Sequence, residues 1–446
     1  VAALAGGNTV ILKPATVAAP VAWLFAQAFW DAGVPKEALQ VIITDRDALK
    51  VLTSAPAIKH IILTGGTDTA QNIARSNPST PLSAETGGKN AIILTASGDR
   101  DHAIMNVVAS AFGNVGQKCS ACSLLLVERS VYEDKNFREK LKDAATSMKV
   151  GSVWNPGNVV GPMITNGNDK LLKALELEQG ESWLVPPQFL DKNKYVLAPT
   201  VKWGVRPGSY SFRTELFGPM LSVVCIENLQ QGIELVNSLD YGLTSGLQSL
   251  DEEEQRLWKN SIMAGNLYIN RGITGAIVNR QPFGGMKLSA FGGGVKAGGP
   301  NYCACFVKIS DKPGSTTDYK QSYPKAYEQE FAHARDINNL YGEQNVFRYL
   351  PLRNMVLRLF PGDTNEDAQM IAFAAKICHT PLTISFEPGD DRTTALASLG
   401  CSLKKESLQE FLKSMSEYER IRTCGVDIPM EMYEEAARTD KYIATA

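Results

Sequence analysis

The chain has 446 residues, of which 44% are hydrophobic and 21% charged, and its formal net charge is −2. This is the composition of an ordinary globular protein, and at roughly 150 residues per domain it predicts about three domains. The near balance of charge offers no electrostatic footprint for binding nucleic acid, and no apolar run approaches the roughly 18 residues of a membrane span. Eight cysteines are scattered without regular spacing, which argues against a disulfide framework and favours a reducing, cytoplasmic location.

Short apolar runs alternate with amphipathic stretches over the first ninety residues. The pattern predicts strands in TVILKP, LQVII and IKHIILTGG, and helices in VAWLFAQAFWDAG, DALKVLTSA and TDTAQNIARS. Such alternation indicates a parallel sheet, which binds ligands beyond the carboxyl ends of its strands. Gly65 and Gly66 lie at such an end, where a backbone without side chains can approach a pyrophosphate at the start of a helix. A plain tight turn explains these two glycines equally well.

A second α/β region extends from Asn90 to about Pro300, and a third, smaller one follows. The second region begins with a strand in NAIILT, a helix in DHAIMNVVASAFGNVG with a core-facing apolar stripe, and a strand in SLLLVER. The stripe consists of Ile104, Val107, Val108, Ala111 and Phe112. After the polar segment KISDKPGSTTDYKQSYPK, the pattern predicts strands in NMVLRLF and PLTISF, and helices in DAQMIAFAAKI and SLQEFLKSMSEYERIR.

The stretch GQKCSAC carries Cys119 and Cys122 between a helix and a strand, and three interpretations compete. A zinc site needs four ligands in close pairs, but the nearest other pair is Cys303 and Cys305, and no two histidines have ligand spacing. A redox dithiol lies at a helix N-terminus, whereas CSAC leads into a strand. A single nucleophilic cysteine with a bystander is therefore favoured, and no metal is expected.

A nucleophilic cysteine needs a base, and because no histidine is near in the sequence, a carboxylate must serve. The segment SAETGGKNAIIL places Glu85 at a strand end, followed by Gly87 and Gly88, which let other chain segments approach. A surface carboxylate without a catalytic role fits the same spacing.

Six motifs in order, ILKPA, LTGGT, ETGGKN, GQKCS, ELFGP and QPFGG, resemble the aldehyde dehydrogenase superfamily over residues 1–307. Within it, GQKCSA, GITGAIVNRQPFGG and KAGGPNY look most like L-glutamate γ-semialdehyde dehydrogenase, also called 1-pyrroline-5-carboxylate dehydrogenase. GEQNVFRYLP and the extra α/β unit resemble the C-terminal part of proline utilization A, which joins this enzyme to a flavin-dependent proline dehydrogenase.

The resemblance implies an α/β aldehyde dehydrogenase fold with an added C-terminal α/β domain. The implied domains are a Rossmann-like NAD-binding domain (1–88, its N-terminal part upstream of Val1), a catalytic domain (89–307), a connector (308–340) and the C-terminal domain (341–446). The cofactor is expected to be NAD, with FAD only in a proline dehydrogenase domain outside this chain. We also expect a homo-oligomer joined to such a domain upstream, with a small-molecule substrate.

Residue by residue, the resemblance places the nucleophile at Cys119 and the general base at Glu85. The implied cofactor-binding residues are Lys13, Thr16, Gly65, Gly66, Gly87, Glu215 and Phe217. The implied substrate-binding residues are Ser120, Gly275, Ala276 and Phe283. The expected reaction converts glutamate γ-semialdehyde to glutamate through a cysteine thiohemiacetal and a thioester.

Two departures bear on these expectations. Many NAD-preferring relatives carry a glutamate where this chain has Thr16, so discrimination against the phosphorylated cofactor is expected to be weaker. The family's oxyanion-binding asparagine falls upstream of Val1, so only the backbone half of that site is expected here. An aldehyde dehydrogenase for another semialdehyde, or a non-catalytic assembly module of the same fold, remains an alternative.

Overall fold

In a computed structural model of the chain, the structure describes residues 1–277, 280–309, 318–390, 392–425 and 427–445. Among these residues, none of the helices combines the length and the apolar character that crossing a membrane requires. The described residues form three α/β regions in chain order.

The first region contains two small parallel strand pairs with helices beside them. Its helices are α1 (Ala2–Ala5), α2 (Ala19–Asp31), α3 (Arg46–Thr53) and α4 (Thr67–Ser76), with a 3₁₀ turn at Thr16–Ala18. Its strands are β1 (Val10–Leu12), β2 (Leu39–Val41), β3 (Ile61–Thr64) and β4 (Leu82–Glu85). The predicted alternation is confirmed, but the pairs β1–β2 and β3–β4 belong to separate sheets rather than one. Helix α4 covers the second pair through a small core of Ala70, Ile73, Leu82 and Ala84.

The second region is built on a seven-stranded sheet of order β12-β11-β5-β6-β9-β8-β7, parallel except for the edge pair β7–β8. Its strands are β5 (Asn90–Leu94), β6 (Cys122–Glu128), β7 (Ser182–Val185), β8 (Thr200–Trp203), β9 (Met220–Ile226), β10 (Tyr241–Gly242), β11 (Thr244–Gln248), β12 (Asn266–Ile269), β13 (Met286–Lys287) and β14 (Ala290–Phe291). Its helices are α5 (Arg100–Phe112), α6 (Arg129–Tyr132), α7 (Lys135–Thr146), α8 (Asp169–Ala174), α9 (Tyr210–Arg213), α10 (Leu229–Asn237) and α11 (Glu252–Ser261).

Both faces of the seven-stranded sheet are buried. Alternate residues of β5 enter different cores: Ile92 and Leu94 face one, and Ala91 and Ile93 face the other. The predicted apolar stripe of α5 is confirmed, because all five of its residues are buried in the first core. Strand β14 leaves this region and pairs antiparallel with β4, which joins the small β3–β4 sheet to the second region.

Helix α5 is shorter than predicted. The prediction continued it to Gly116, but the helix ends at Phe112 and a 3₁₀ turn follows over Gly113–Gly116. Asn114 and Val115 adopt left-handed φ angles of 54° and 53°, which an α-helix cannot contain. The chain thereby leaves the helix axis and turns toward Cys119.

The third region is a separate five-stranded parallel sheet of order β19-β18-β17-β20-β21. Its strands are β17 (Met355–Arg358), β18 (Leu382–Phe386), β19 (Ser402–Lys405), β20 (Arg420–Thr423) and β21 (Ile443–Ala444), preceded by the hairpin β15 (Arg335–Asp336) and β16 (Val346–Phe347). Its helices are α12 (Tyr319–Ala326), α13 (Asn365–Ile377), α14 (Thr393–Ala397), α15 (Leu408–Ser414) and α16 (Met430–Arg438). In chain order the sheet reads 3-2-1-4-5, as in doubly wound α/β folds.

One prediction in this region needs correction. The predicted helix over 407–422 ends early: α15 stops at Ser414, a 3₁₀ turn covers Met415–Glu417, and Arg420–Thr423 form strand β20. The alternation of buried Ile421 and Thr423 with their half-buried neighbours is the strand period that a helix assignment missed. In the predicted connector (308–340), residues 310–317 lie outside the described residues, and Tyr319–Ala326 form helix α12.

Candidate active site

The predicted catalytic residues meet where the two sheets adjoin. Glu85 is the last residue of β4, and after a short Gly-Gly turn the chain enters β5 at Asn90. Cys119 lies just before β6, whose first residue, Cys122, pairs with Asn90. The carboxyl end of the small sheet therefore faces the amino end of the seven-stranded sheet, and the thiol and the carboxylate lie at this junction.

The turn that carries Cys119 is held by Asn90. Its amide nitrogen donates to the carbonyl oxygens of Cys119 (2.7 Å) and Ala121 (3.0 Å), and its oxygen accepts from the backbone N–H of Thr244 (3.0 Å). Gly116, at φ +67°, begins the turn, and a Cβ there would lie 2.6 Å from the Gly218 carbonyl carbon. The hydrogen-bonded, buried amide of Asn90 and the glycine at position 116 therefore fix the backbone that carries the Cys119 thiol.

The two cysteines of the motif have different environments. Cys119 is partly accessible, and its thiol pKa is raised by burial and by the charge of Glu215, with a smaller opposing effect from the backbone N–H of Ser120. Cys122 is buried in the first core, its thiol donates to the Leu124 carbonyl at 3.3 Å, and burial raises its pKa to about 12. This difference is consistent with a nucleophilic role for Cys119 and a structural role in the core for Cys122.

Glu85 is a carboxylate with a strongly shifted pKa. Burial raises the pKa to about 7, while the charge of Lys296 and the backbone N–H of Gly285 lower it in part. Its charge also raises the pKa of Cys119, so the two groups interact electrostatically within one site. Among the described residues, the Oε2 atom of Glu85 is buried and has no hydrogen-bond partner, as a base awaiting a water or substrate proton would be.

Glu215 lies against the glycine turn that follows Glu85. Its Oε1 accepts from the backbone N–H of Gly88 at 2.9 Å. A Cβ on Gly87 would lie 2.6 Å from the Glu215 carboxyl carbon, so the carboxylate occupies the space that a side chain there would fill. Burial raises the pKa of Glu215, while the Gly88 N–H and the charges of Lys170 and Lys89 lower it in part. Lys89 is itself buried, which lowers its own pKa to about 7.

Phe217 lies beside the Cys119 turn. It adopts a left-handed φ of 51° and is 41% exposed. Gln117 donates to the Phe217 carbonyl at 3.3 Å and accepts from the backbone N–H of Ile164 at 2.9 Å. The residue two positions before the thiol thus fixes the segment that carries Glu215 and Phe217.

Of the predicted substrate residues, Ser120 belongs to the Cys119 turn, while Gly275, Ala276 and Phe283 lie on the segment that follows β12. Ser120 is buried next to Cys119, while Gly275 is exposed at φ +89° and Ala276 is half-buried. Phe283 forms a two-way backbone bridge with Ala297, with both N–H···O distances at 3.0 Å. Gly275 and Ala276 belong to the predicted substrate loop, GITGAIVNRQPFGG. Residues 278 and 279 of this loop lie outside the described residues.

The ends of this loop are tied to the rest of the molecule. The Ser110 hydroxyl of α5 accepts from the backbone N–H of buried Ile273 at 3.0 Å. Arg271 and Arg280, which flank the loop, both pair with Glu343, at 3.2 Å and 3.4 Å. Glu343 belongs to the GEQNVFRYLP segment, so the C-terminal region contacts both ends of the predicted substrate loop.

Four predicted cofactor residues lie apart from the thiol, on the first region. Lys13 is half-buried directly after β1, and Thr16 is exposed at the start of a 3₁₀ turn. Gly65 follows β3, and Gly66 immediately precedes α4, where a Cβ would meet no atom within 4 Å. The predicted position of both glycines, at a strand end before a helix, is confirmed.

Sequence reasoning missed three polar residues that shape the site: Lys89, Asn90 and Lys296. Lys89 and Asn90 lie at the start of a buried strand, in ETGGKN. Two polar residues in such a position were the sequence signal that could have identified them as site residues. Lys296 lies in the glycine-rich segment FGGGVKAGG, which gave no indication that it approaches Glu85. Long-range packing alone places it there.

Comparison with known proteins gives a consistent result. The aldehyde dehydrogenase family model matches residues 1–311. A 1-pyrroline-5-carboxylate dehydrogenase of Geobacillus thermodenitrificans is 34% identical over 313 residues, which are 68% of this chain and 60% of that protein. The chain thus spans about three-fifths of the length of the curated relatives it matches.

Two solved structures are similar. Proline utilization A from Corynebacterium freiburgense matches at a TM-score of 0.84 and 36% identity, covering 100% of this chain and 45% of that one. A Thermus 1-pyrroline-5-carboxylate dehydrogenase with bound NAD matches at a TM-score of 0.63 and 33% identity, covering 68% of this chain and 60% of that one. By its motifs, its fold and the extent of the family match, the chain belongs to the aldehyde dehydrogenase family.

Proposed function

We propose that the chain carries out the aldehyde-oxidising step of proline breakdown, converting L-glutamate γ-semialdehyde to L-glutamate with NAD. The observation that carries the proposal is the pairing of a partly accessible thiol, Cys119, with a half-buried carboxylate, Glu85, whose pKa of about 7 suits a base at neutral pH. Similarity to 1-pyrroline-5-carboxylate dehydrogenases supports the choice of substrate.

The residues present fit a dinucleotide of the NAD type. Gly65 and Gly66 leave the start of the ten-residue helix α4 free of side chains, which suits a pyrophosphate. Lys13 can reach an adenosine ribose, while the Glu215 carboxylate and the Phe217 ring can hold the nicotinamide end. When bound, NAD accepts the hydride that the substrate carbon loses. Exposed Thr16 carries no charge that would repel a 2′-phosphate.

The chemistry of the protein side chains follows from their positions. The Cys119 thiolate attacks the aldehyde carbon and forms a C–S bond, and the resulting oxyanion accepts a hydrogen bond from a backbone N–H of the Cys119 turn. Once the carbon is oxidised to a thioester, Glu85 takes a proton from water as the water oxygen bonds to that carbon. The C–S bond then breaks, and the thiolate leaves with its electron pair.

Substrate selection is assigned to the turn and the loop beside the thiol. The Ser120 hydroxyl and the backbone N–H groups of Gly275 and Ala276 can donate to the substrate α-carboxylate, while Phe283 flanks its aliphatic part. Hydrogen bonds to a charged group contribute about 1.5–3 kcal/mol each. Two such bonds separate an amino-acid semialdehyde from a plain aldehyde by roughly a hundred-fold or more.

We further propose that the full-length protein is a homo-oligomer in the cytoplasm that includes a proline dehydrogenase domain with FAD. Likeness to proline utilization A over the whole of this chain supports the fusion. The eight cysteines, all within the described residues, are unpaired, which is consistent with a reducing compartment. The domain limits 1–88, 89–307, 308–340 and 341–446 belong to the same proposal.

Reduced-nicotinamide absorbance with a panel of semialdehydes tests the assignment in the full-length protein. Glutamate γ-semialdehyde should give a far higher kcat/KM than propanal or hexanal. Ser120→Ala and Gly275→Val should raise KM for glutamate γ-semialdehyde much more than for hexanal, while Ser123→Ala, on the adjoining strand, serves as the matched control. A parallel loss for both substrates would show that the loop is structural and would remove the substrate assignment.

A further inference from the structure

The strongest unassigned feature of the site is the approach of Glu85 and Lys296 to the same glycine, Gly284. A Cβ placed on Gly284 would lie 3.1 Å from Glu85 Oε1 and 3.0 Å from the Cγ atom of Lys296. The carboxylate oxygen and the lysine side chain therefore both approach the one position that a side chain on Gly284 would occupy, which leaves no room for a side chain there. Lys296 belongs to the segment that pairs with Phe283 through Ala297.

Lys296 is itself held in place. Its ammonium group donates to the carbonyl of Gly265 and approaches the Asn266 side-chain oxygen at 3.4 Å. Asn266 also donates to the Pro282 carbonyl (3.0 Å) and accepts from the Gly284 N–H (3.2 Å). These bonds fix the ammonium group beside the QPFGG turn.

The charged and titratable groups around Glu85 come from three segments. Lys296 is the cation whose charge favours ionised Glu85. Burial chiefly raises the pKa values of Cys119 and Tyr302, and the charge of Glu85 raises both further. Burial is the main effect that opposes ionisation of Glu85, and Lys296 is the cation whose charge offsets it; in the thioester the Cys119 sulfur is uncharged and adds no repulsion.

We propose that Lys296 is a positioning residue that keeps the Glu85 carboxylate ionised and directed at the thioester when water is activated. The proposal rests on the role proposed above for Glu85 as general base. It adds to that role a lysine whose side chain approaches the same glycine, Gly284, and whose ammonium group is held by its own hydrogen bonds. The proposed role requires no contact of Lys296 with the nucleophile or the substrate.

The two pKa values limit the pH range in which this pairing acts. Burial raises the Glu85 pKa to about 7 and lowers the Lys296 pKa to about 8, and each charge favours the other. Below about pH 8 the lysine is charged, and above about pH 7 the carboxylate is ionised. Removing the lysine charge should raise the Glu85 pKa further, by on the order of one unit for charges a few ångströms apart at the edge of a protein interior.

Thioester hydrolysis alone tests this inference. The full-length protein is briefly treated with 4-nitrophenyl acetate, excess reagent is removed, and decay of the acetyl-Cys119 enzyme is followed from pH 6 to 9. With Lys296→Met the midpoint of the rising limb should move up from near pH 7, making decay about fivefold slower at pH 7 but nearly equal at pH 9. Lys296→Arg should restore the wild-type midpoint.

Lys287 provides a matched control. It too is half-buried, with a pKa lowered by burial, and it donates to the Asn237 (2.7 Å) and Leu239 (2.8 Å) carbonyls rather than facing Glu85. Lys287→Met should leave the midpoint unchanged. Should Lys296→Met fail to fold, Lys296→Gln, whose amide can still donate to a backbone carbonyl, carries the same test.

An unmoved midpoint in a folded Lys296 variant, or slowing by the same factor at every pH, would overturn the proposal and leave Lys296 a purely structural clamp. Because the assay uses neither cofactor nor semialdehyde, this result is independent of the substrate assignment. If acetyl-enzyme decay does not depend on Glu85 at all, the general-base role fails and this proposal fails with it.

Discussion

Replacing Gly87 by alanine should weaken NAD binding by displacing Glu215. The new Cβ would lie 2.6 Å from the Glu215 carboxyl carbon and 2.7 Å from its Oε1, which is closer than side-chain atoms approach. Because Glu215 is buried and bonded to the Gly88 N–H at 2.9 Å, it must swing away and break that bond.

The size of the effect follows from the bond that is lost. A hydrogen bond to a charged group contributes about 1.5–3 kcal/mol. If the bonded orientation is the one that binds the nicotinamide ribose, the dissociation constant for NAD should rise roughly 10- to 150-fold. Overpacking by the added methyl group should lower the free energy of unfolding by about 1–3 kcal/mol as well.

Titration calorimetry with NAD, together with thermal unfolding, measures both quantities in the full-length protein. Gly113→Ala is the control, because a Cβ at Gly113 meets no atom within 4 Å and its φ is negative. Unchanged NAD affinity in folded Gly87→Ala would refute the link between the Gly88–Glu215 bond and cofactor binding. An equal loss in Gly87→Ala and Gly113→Ala would show that the effect is not specific to Glu215.

Three further predictions concern the thiol, the base and the cofactor. Cys119→Ala should abolish dehydrogenase activity while Cys122→Ala retains most of it, since Cys122 is a buried core residue; equal loss, or stoichiometric zinc in the purified protein, would revive a paired role. Glu85→Gln should give a burst of reduced cofactor, followed by turnover slowed about a hundred- to ten-thousand-fold. In the wild type, the deacylation rate should fall as the pH drops through about 7, because the raised pKa of Glu85 leaves the base protonated below that pH. A slowed acylation step instead would give Glu85 another role. NAD should be preferred with measurable use of its phosphorylated form, because Thr16 is exposed and uncharged; strict exclusion of that form in a cofactor comparison would contradict this.

Local periodicity was sufficient for most elements and failed where the chain changes direction. Helix α4 spans the predicted residues, Thr67–Ser76, because its apolar positions and its preceding glycines agree. The α5 prediction ran four residues too far because Val115, 5% exposed, extends the apolar stripe although its φ is left-handed. A hydrophobic pattern records which residues are buried but carries no information on the sign of φ.

The site was predictable only as far as its motifs reach. The positions of Cys119 and Glu85 came from short motifs, and both lie at the junction of the two sheets. The Asn90 bonds to the Cys119 turn and the approach of Lys296 to Glu85 depend on tertiary packing between distant segments. No local pattern encodes such contacts, so only the folded structure reveals them.

Two carboxylates, Glu215 and Glu85, act electrostatically on the Cys119 thiol. Each has nearby groups that favour its ionised form. Burial raises the pKa of Glu215, and the Gly88 N–H, Lys170 and buried Lys89 oppose that rise. Glu85 is influenced in the same sense by a backbone N–H of the QPFGG turn and by Lys296. In both cases the backbone of a glycine pair lies close to the acid. A lysine whose pKa is lowered by burial also acts on each acid, Lys89 on Glu215 and Lys296 on Glu85.

With the roles proposed above for Cys119 and Glu85, this arrangement allows a nucleophile and a base to share one site. Like charges a few ångströms apart raise each other's pKa, so Glu85 and a Cys119 thiolate would otherwise suppress one another. Lysine charges favour ionisation of each acid: Lys296 acts on Glu85, and Lys170 and Lys89 act on Glu215. The carboxylate can then be ionised when the thioester needs water, while the thiol stays free for the next aldehyde.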